Sequence, residues 1–382
     1  MASMATVVLP HQLSSYSTSQ IATFLGLSWL LYLIFLPIYR LYLSPLAKYP
    51  GRKLAIMTPW YEFYYEWVKR GAYIWEIQDM HKQYGPVVRI SPRELHIDDP
   101  DFYDELFTQR LDKDPWVCPQ FGSIENTQAT ASAELHRSRR AALSPFFSAA
   151  KVTQFQSVVT DKIEKLCRLL SDHQREGTPV NMYDCYRALT TDVITEYAFP
   201  TNWDFLHRPD LGKLWFKNVE GATEAAPLLR HFPWITPVMD RLPEWLALTL
   251  VPDLKFQYET EDVLEKDIKA IMDAGPNVTE AEKQHPTIFY ELLYNSNLPE
   301  SEKHIWRMVA EGALIVIAGN ETTGNALNAL HFHLLANPEK MARLRAELVE
   351  DIKGQWDVPS WQQLKKLPYL VGPESPASLW FD

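Results

Sequence analysis

The amino terminus limits the fold of this chain more than any other segment, because its first 39 residues contain no Asp, Glu, Lys or Arg. Between Ile21 and Ile38, fourteen of eighteen residues are apolar. With one flanking residue on each side, the run makes about 30 Å of helix, which matches the hydrocarbon core of a bilayer. The sequence therefore predicts one membrane-spanning helix over about residues 20–39, within an anchor of residues 1–44.

Two other interpretations of this segment are weaker. A cleaved signal peptide would begin with a basic region and end in a small-residue cleavage site, and residues 1–39 have neither. A buried core helix would not explain so long a terminal run without charge. Arg40 and three further basic residues follow before the first acid, Glu62. Because basic flanks stay on the cytoplasmic side, we expect the rest of the chain to face the cytosol.

Charge and cysteine content exclude several classes of protein. Asp plus Glu total 48 against 37 Lys plus Arg, and the net charge of −11 would repel a phosphate backbone, so nucleic acid is not expected as a partner. The cysteines Cys118, Cys167 and Cys185 are odd in number and widely spaced, which fits neither a disulfide framework nor a zinc site. Cys167 lies in an apolar stripe over residues 152–170, so we expect it in the core.

The globular part is predicted to be mainly α-helical and to form one domain over residues 45–370. Residues 85–90 and 94–97 read as two short strands joined by a turn, since β-branched residues alternate with turn formers. A helix is predicted over 182–199 and a longer one over 301–336, which is long enough to cross the whole domain. The proline-broken segment 232–252 indicates either a cover over an apolar pocket or the membrane surface, or an ordinary loop.

The long helix contains an unusual run in its middle, Ala318-Gly-Asn-Glu-Thr-Thr-Gly324. Glycine weakens a helix interior, and a threonine hydroxyl can bond a carbonyl one turn back and bend the helix. A groove there could hold a small ligand beside the acid Glu321 and the hydroxyl of Thr322, which could relay protons. The alternative is that the small residues allow a neighbouring helix to approach closely. The residues alone leave both open.

A second candidate is the basic run His136-Arg-Ser-Arg-Arg140 in a predicted short helix. His136 and Arg140 are four residues apart and share a face, as a pair that binds a carboxylate-bearing ligand would. The alternative is a solvated basic face.

Together, these segments resemble the cytochrome P-450 superfamily of haem-thiolate monooxygenases, in its membrane-anchored fungal form that includes trichodiene oxygenase. Residues 318–323 match the family's oxygen-binding motif [AG]-G-x-[DE]-T-[TS] at every position, and residues 136–140 match W-x-x-x-R with His136 in place of Trp. The resemblance implies a P-450-like helical fold with a small β-sheet near the amino terminus. It also implies these site residues: the catalytic pair Glu321 and Thr322, and the cofactor-binding residues His136, Arg140, Ala318, Gly319 and Thr323.

The resemblance further implies the chemistry and its setting. Members hold a haem, and Arg140 would pair with one of its propionates. Electrons come from NADPH through an NADPH-cytochrome reductase. The substrate would be a lipophilic secondary metabolite, such as a terpenoid or polyketide, that is hydroxylated or epoxidised. The location would be the endoplasmic reticulum membrane, with a single span and the globular part in the cytosol.

The last twelve residues depart from the family. Relatives continue after Leu370 into a helix bearing E-x-x-R and a loop whose cysteine ligates the iron, whereas residues 371–382 contain neither motif. No other cysteine has the surroundings of that ligand, so we assign no metal ligand. We therefore expect a C-terminally truncated relative with an aberrant tail, catalytically inactive as written. The alternative is a non-catalytic, membrane-anchored remnant that binds an apolar ligand or a partner.

Overall fold

The computed structural model describes residues 17–123, 125–239, 241–276, 287–295, 298–352 and 359–371. Within these ranges the chain is mainly helical, as predicted. It divides into two compact units, Met1–Arg110 and Leu111–Asp382. The domain limits expected at residues 44 and 370 stay a prediction. The expected tail falls on residues 371–382, and all of these except Val371 lie outside the described residues.

The first unit begins with the apolar helix. Ser17 and Gln20 form a capping box at its start, in which each side chain accepts a hydrogen bond from the other residue's backbone N–H. The elements are α1 Thr18–Ile38, α2 Lys53–Met57, α3 Trp60–Phe63, α4 Tyr73–Tyr84, β1 Val87–Arg89, β2 Leu95–Ile97 and α5 Phe102–Thr108, with π-helical turns at Tyr39–Leu43 and Tyr64–Val68.

The predicted strand pair is confirmed. β1 and β2 are antiparallel, with Val87 opposite Ile97 and Arg89 opposite Leu95. The segment between α1 and α2, which the sequence marks with prolines, is bonded to this sheet, because the Arg89 backbone N–H donates to Pro50 O at 2.7 Å. The strand pair thereby holds the chain that enters from α1.

The second unit is built from helices. They are α6 Ala133–Leu143, α7 Ala149–Gln154, α8 Gln156–Glu176, α9 Met182–Ala198, α10 Lys213–Glu224, α11 Ala226–His231, α12 Ile235–Met239, α13 Glu244–Leu250, α14 Leu254–Ala274, α15 Ile288–Leu293, α16 Ile305–Ala336, α17 Pro338–Ile352, α18 Trp361–Leu364 and α19 Pro368–Val371. Short 3₁₀ turns lie at Cys118–Phe121, Ser144–Phe147, Phe205–His207 and Glu300–Glu302.

The long helix α16 packs chiefly against α9 and α14. The core between them is apolar, with Leu264, Met308 and Val316 fully buried, and the rings of Phe199 and Phe289 stack at 4.7 Å. The helix begins at Ile305 rather than at residue 301, because the His304 side chain accepts from the Arg307 backbone N–H and caps it there. The predicted crossing helix is otherwise confirmed.

The expectation that Cys167 lies in the core is wrong. In α8, Leu166 is buried and Cys167 is exposed. Neighbouring helical positions are about 100° apart, so the stripe that packs inward at Leu166 leaves the next residue outside. The buried face also holds a charge, Lys162, which pairs with Glu196 of α9. The predicted stripe itself packs inward at Phe155, Ile163, Leu166 and Leu170, so only the inclusion of Cys167 was wrong.

Candidate functional site

One face of the middle of α16 is open. Ala318, Thr322 and Thr323 are exposed there. The Thr322 hydroxyl donates to Ala318 O at 2.8 Å, one turn back, which is the bond expected from the sequence. This face therefore presents small residues and a hydroxyl that a ligand could reach.

The opposite face of the same turn is closed by α9. Asn320 is fully buried, and its side-chain NH₂ donates to Arg187 O at 3.0 Å and to the Thr191 hydroxyl. A methyl group at Gly319 would lie 2.8 Å from Ile194 Cγ1. The two interpretations left open by the sequence thus apply to different faces of one helix, because the glycines admit α9 while the threonines stay accessible.

The acid of the motif lies at the boundary between these faces. Glu321 Oε1 accepts from the Tyr183 hydroxyl at 2.9 Å, and Oε2 forms an ion pair with Arg187 Nη2 at 2.6 Å. The Glu321 side chain is 37% exposed, whereas that of Arg187 is 1% exposed. Glu321 is therefore positioned by the buried Arg187 and the half-buried Tyr183 and still reaches solvent.

Arg187 connects three helices. Its Nη1 pairs at 2.5 Å with Glu220 of α10, and its guanidinium lies 4.2 Å from the centre of the Phe216 ring. Burial, and then the hydrogen bond to Glu321, raise the pKa of Tyr183 to about 12. Tyr183 thus stays protonated near neutral pH and acts as a donor to Glu321. Because Tyr183 and Arg187 hold it in place, the Glu321 carboxylate can receive a proton from solvent without losing its position.

Sequence reasoning did not select Tyr183 or Arg187. The two residues are four apart and share a face of α9, which is the one available signal. Their role depends on where α9 meets α16, and no local pattern reports that contact.

The basic run of α6 is divided between two environments. Arg139 is buried, and its Nε donates to Glu302 Oε2 at 2.6 Å. Arg140 is exposed and His136 is half-buried. Burial, and then the charges of Lys113 and Arg140, lower the pKa of His136, so this side chain is neutral at pH 7. Within the described ranges, no hydrogen bond joins His136 or Arg140 to the motif in α16.

Arg139 belongs to a buried charged cluster that the sequence did not reveal. Arg307 Nη1 pairs with Glu311 Oε2 at 2.5 Å, and the two side chains are 2% and 1% exposed. The Thr127 backbone N–H donates to the same Glu311 oxygen at 3.0 Å. Arg307 also meets Glu302, which is the partner of Arg139. The cluster fixes α6 and the chain before it to the amino-terminal end of α16.

A haem would find only part of its site among these residues. The open face at Thr322 would suit the side of a haem at which oxygen binds. The exposed Arg140 would suit one of the haem propionates. The iron ligand is a different matter, because Cys118 and Cys185 are buried and Cys167 lies outside on α8. Burial raises the pKa of Cys185 to about 11, which disfavours the thiolate that iron requires. The described residues also contain no cluster of three or more His, Cys, Asp or Glu side chains suited to a metal ion.

The sequence is similar to those of known proteins. The sequence profile of the family described as cytochrome P450 matches residues 57–372. A cytochrome P450 monooxygenase of Ascocoryne sarcoides is 39% identical over 372 residues, which cover 94% of this chain and 72% of that protein. A tryptophan 6-hydroxylase of Fusarium equiseti is 35% identical over 339 residues, covering 88% of this chain and 66% of the relative. A conidiogenone synthase of Penicillium rubens is 34% identical over 340 residues, covering 88% and 67%.

The profile match spans the strand pair, the basic run of α6 and the motif in α16 together. The chain is therefore a member of the cytochrome P450 family and is similar to its fungal monooxygenases.

Proposed function

We propose that these residues form the oxygen side of a fungal P450 monooxygenase that hydroxylates or epoxidises a lipophilic secondary metabolite. The observation that carries this proposal is the open face of α16 at Ala318, Thr322 and Thr323, with Glu321 held at its edge by Arg187. The relatives support the reaction class, since they are named as a monooxygenase and a tryptophan hydroxylase. They differ in what their names say they act on, so the substrate stays at the level of a lipophilic metabolite.

Each side chain has a stated role in this proposal. Glu321 takes protons from solvent and passes them to the Thr322 hydroxyl, which delivers them at the open face. Ala318 and Thr323 line that face for the cofactor. Gly319 acts indirectly, because it faces Ile194 and lets α9 support the helix. Arg140, assisted by the neutral His136, would hold a propionate.

We further propose that the polypeptide of 382 residues does not by itself form the family's haem-thiolate centre. A haem ligated by a cysteine thiolate supplies the activation of dioxygen in this family. Support comes from the three cysteines, two of which are enclosed by protein and one of which lies on the outer side of α8. The non-catalytic alternative gains no support from the relatives, whose names include enzymatic reactions.

Difference spectroscopy of the reduced protein with carbon monoxide tests this second proposal. We expect no thiolate-type Soret band from the purified 382-residue chain supplied with haem. The variants Cys118→Ser, Cys167→Ser and Cys185→Ser should be indistinguishable from the parent. A thiolate band that disappears in one of these variants would identify an axial ligand and contradict the proposal.

The propionate role of Arg140 can be tested by binding. Haemin is titrated into the full chain and followed by quenching of tryptophan fluorescence. Loss of one charge-assisted hydrogen bond, worth about 1.5 kcal/mol, predicts roughly tenfold weaker binding by Arg140→Ala. Arg137→Ala is the matched control, since Arg137 is an exposed arginine on the same helix. Equal effects of the two substitutions, or no haemin binding by the parent, would contradict the assignment.

The membrane location is also a proposal. Among the described residues, one helix, Ser19–Leu43, is long and apolar enough to cross a bilayer, with a mean hydropathy of 2.1 and none of its most apolar window buried. We propose a single span in the endoplasmic reticulum membrane, with the remaining chain in the cytosol, where an NADPH-cytochrome reductase could reach it. Flotation of microsomes after alkaline carbonate washing tests the span. Release into the wash would contradict it.

A further inference from the structure

A pair of histidines joins α4 to β2 in the first unit. His81 Nε2 lies 2.7 Å from His96 Nδ1, and the ring centres are 5.0 Å apart with the ring planes inclined at 60°. A hydrogen bond between two ring nitrogens needs a hydrogen on one of them and a lone pair on the other. The contact therefore exists only in protonation states that leave one of these two nitrogens bare.

The hydrogen of this pair can be placed from the surroundings of His81. His81 Nδ1 is 2.8 Å from Gly85 O, and because a carbonyl oxygen only accepts, Nδ1 carries a hydrogen. In neutral His81 the other nitrogen, Nε2, is then bare and accepts from His96 Nδ1–H. One added proton can bind His96 Nε2 without breaking this bond. A second proton would have to bind His81 Nε2, where it meets the N–H of His96 and a second positive charge.

The surroundings of the pair favour neutral rings. Both rings are half-buried. Burial, and then the charge of His81, lower the pKa of His96, whereas the carboxylate of Asp98, just after β2, raises it. On α4, Asp79 and Lys82 are exposed and pair with each other at 3.0 Å. Because the folded pKa is lowered, the contribution of the neutral pair is present above the unfolded pKa of about 6.5 and is lost as pH falls below it.

The pair holds the sheet that receives the chain from α1. β1 places Val88, which is fully buried, opposite His96. The next residue of β1, the buried Arg89, donates from Nη1 to Arg40 O at 2.7 Å, and Arg40 Nη1 donates to Met57 O at 2.6 Å. Loss of the histidine contact would therefore loosen α4 from the strands to which the turn after α1 is bonded.

We propose that His81 and His96 form an acid-sensitive latch between α4 and the strand pair. The latch is closed with one hydrogen between the rings, and it opens when both rings are protonated. Opening takes up at least one proton, so the open population rises about tenfold for each pH unit below 6.5 and for each proton taken up. The latch belongs to the first unit alone and does not depend on the proposed reaction.

Hydrogen–deuterium exchange of the full chain, measured by mass spectrometry between pH 7.5 and 5.5, tests the latch. Carboxyl groups of ordinary pKa stay ionised in this range, and the exchange rates are corrected for their intrinsic dependence on pH. In the parent we expect the protection of peptides from residues 81–98 to fall about tenfold between pH 6.5 and 5.5. Peptides from the first half of α16 should keep their protection.

His96→Asn is the decisive variant, because the asparagine amide can donate to a bare His81 Nε2 and can turn to accept from a protonated one. Its protection at pH 7.5 should stay within about threefold of the parent, and the loss on acidification should disappear. His81→Gln makes the same exchange on the other ring, and either variant is sufficient. His207→Asn is the matched control, since His207 is an exposed histidine that pairs with Asp204 in the second unit, and it should behave like the parent.

Three results would overturn the latch. The first is protection in the parent that does not change between pH 7.5 and 5.5. The second is a loss on acidification that persists in His96→Asn and His81→Gln, because another group would then be responsible. The third is an equal loss in α16, which would mean that acid unfolds the whole chain.

Discussion

Two glutamates of α16 pair with arginines in opposite surroundings. At its amino-terminal end, Arg307 and Glu311 are 2% and 1% exposed and are enclosed by α6 and the chain before it. In its middle, Arg187 is equally buried, yet its partner Glu321 is 37% exposed. The same kind of ion pair thus excludes solvent at one end of α16 and leaves an acid accessible to protons in its middle. The two pairs differ at the second carboxylate oxygen of the glutamate. In Glu321 this oxygen accepts a hydrogen bond from the Tyr183 hydroxyl at the edge of the open face.

The largest effect is expected at the closed pair. Arg307→Met leaves the buried Glu311 without its cation and Glu302 with Arg139 alone, which should cost about 3–5 kcal/mol of the free energy of unfolding. Arg168→Met is the control, because Arg168 pairs with Glu164 on the exposed surface of α8 and should change stability by about 0.5 kcal/mol or less. Urea denaturation measures both. Similar losses in the two variants would remove the distinction between closed and open pairs.

Acid should weaken the closed cluster next. The Glu302 carboxyl is partly desolvated, which raises its pKa, but the hydrogen bond and charge of Arg139 prevail and hold that pKa below its usual value. Because the folded pKa is lowered, the carboxylate stabilises the fold above the unfolded pKa, and this contribution is lost as pH falls through the folded pKa. Glu302→Gln should therefore cost about 2 kcal/mol near pH 7 and almost nothing in strong acid. Denaturation measured from pH 7 downward tests this, and a constant difference between parent and variant would contradict it.

A smaller effect is expected where α9 meets the middle of α16. A methyl group at Gly324 would lie 3.0 Å from Arg187 Cγ and 3.3 Å from its Cα, so Gly324→Ala should push α9 away and cost about 1 kcal/mol despite better helix propensity. Gly221→Ala in α10 is the control, because nothing lies within 4 Å of the added methyl group. That variant should gain about 0.5–1 kcal/mol. Thermal melting compares them, and a gain at both positions would show that Gly324 is not needed for packing.

The smallest effect is expected at the open pair. Tyr183→Phe removes one hydrogen bond from Glu321 and should cost about 0.5–1 kcal/mol, since solvent can replace the donor. It should also remove one tyrosine that titrates at about pH 12 from the alkaline absorbance titration of the folded protein. A loss as large as that of Arg307→Met would mean that Glu321 is as closed as Glu311.

Local sequence patterns predicted the helices and strands better than the contacts between them. The helix expected over 182–199 is observed as Met182–Ala198, and the strand pair is correct, because periodicity and turn residues act over short distances. The run in α16 and the pair His136 and Arg140 were singled out from their residues, and the resemblance then gave them roles. The sequence did not reveal that Arg139 is the buried member of that run, or that Arg187 holds Glu321. Both depend on which face each helix turns toward another, as does the error at Cys167.

The short bonds from Arg40 to Met57 and from Arg89 to Arg40 join the turn at the end of α1 to α2 and to the strand pair within the first unit. If α1 spans a bilayer as proposed, these bonds would limit how far the first unit can tilt relative to the membrane surface. A partner in the same membrane would then meet the first unit over a limited range of tilts, by diffusion in two dimensions rather than three.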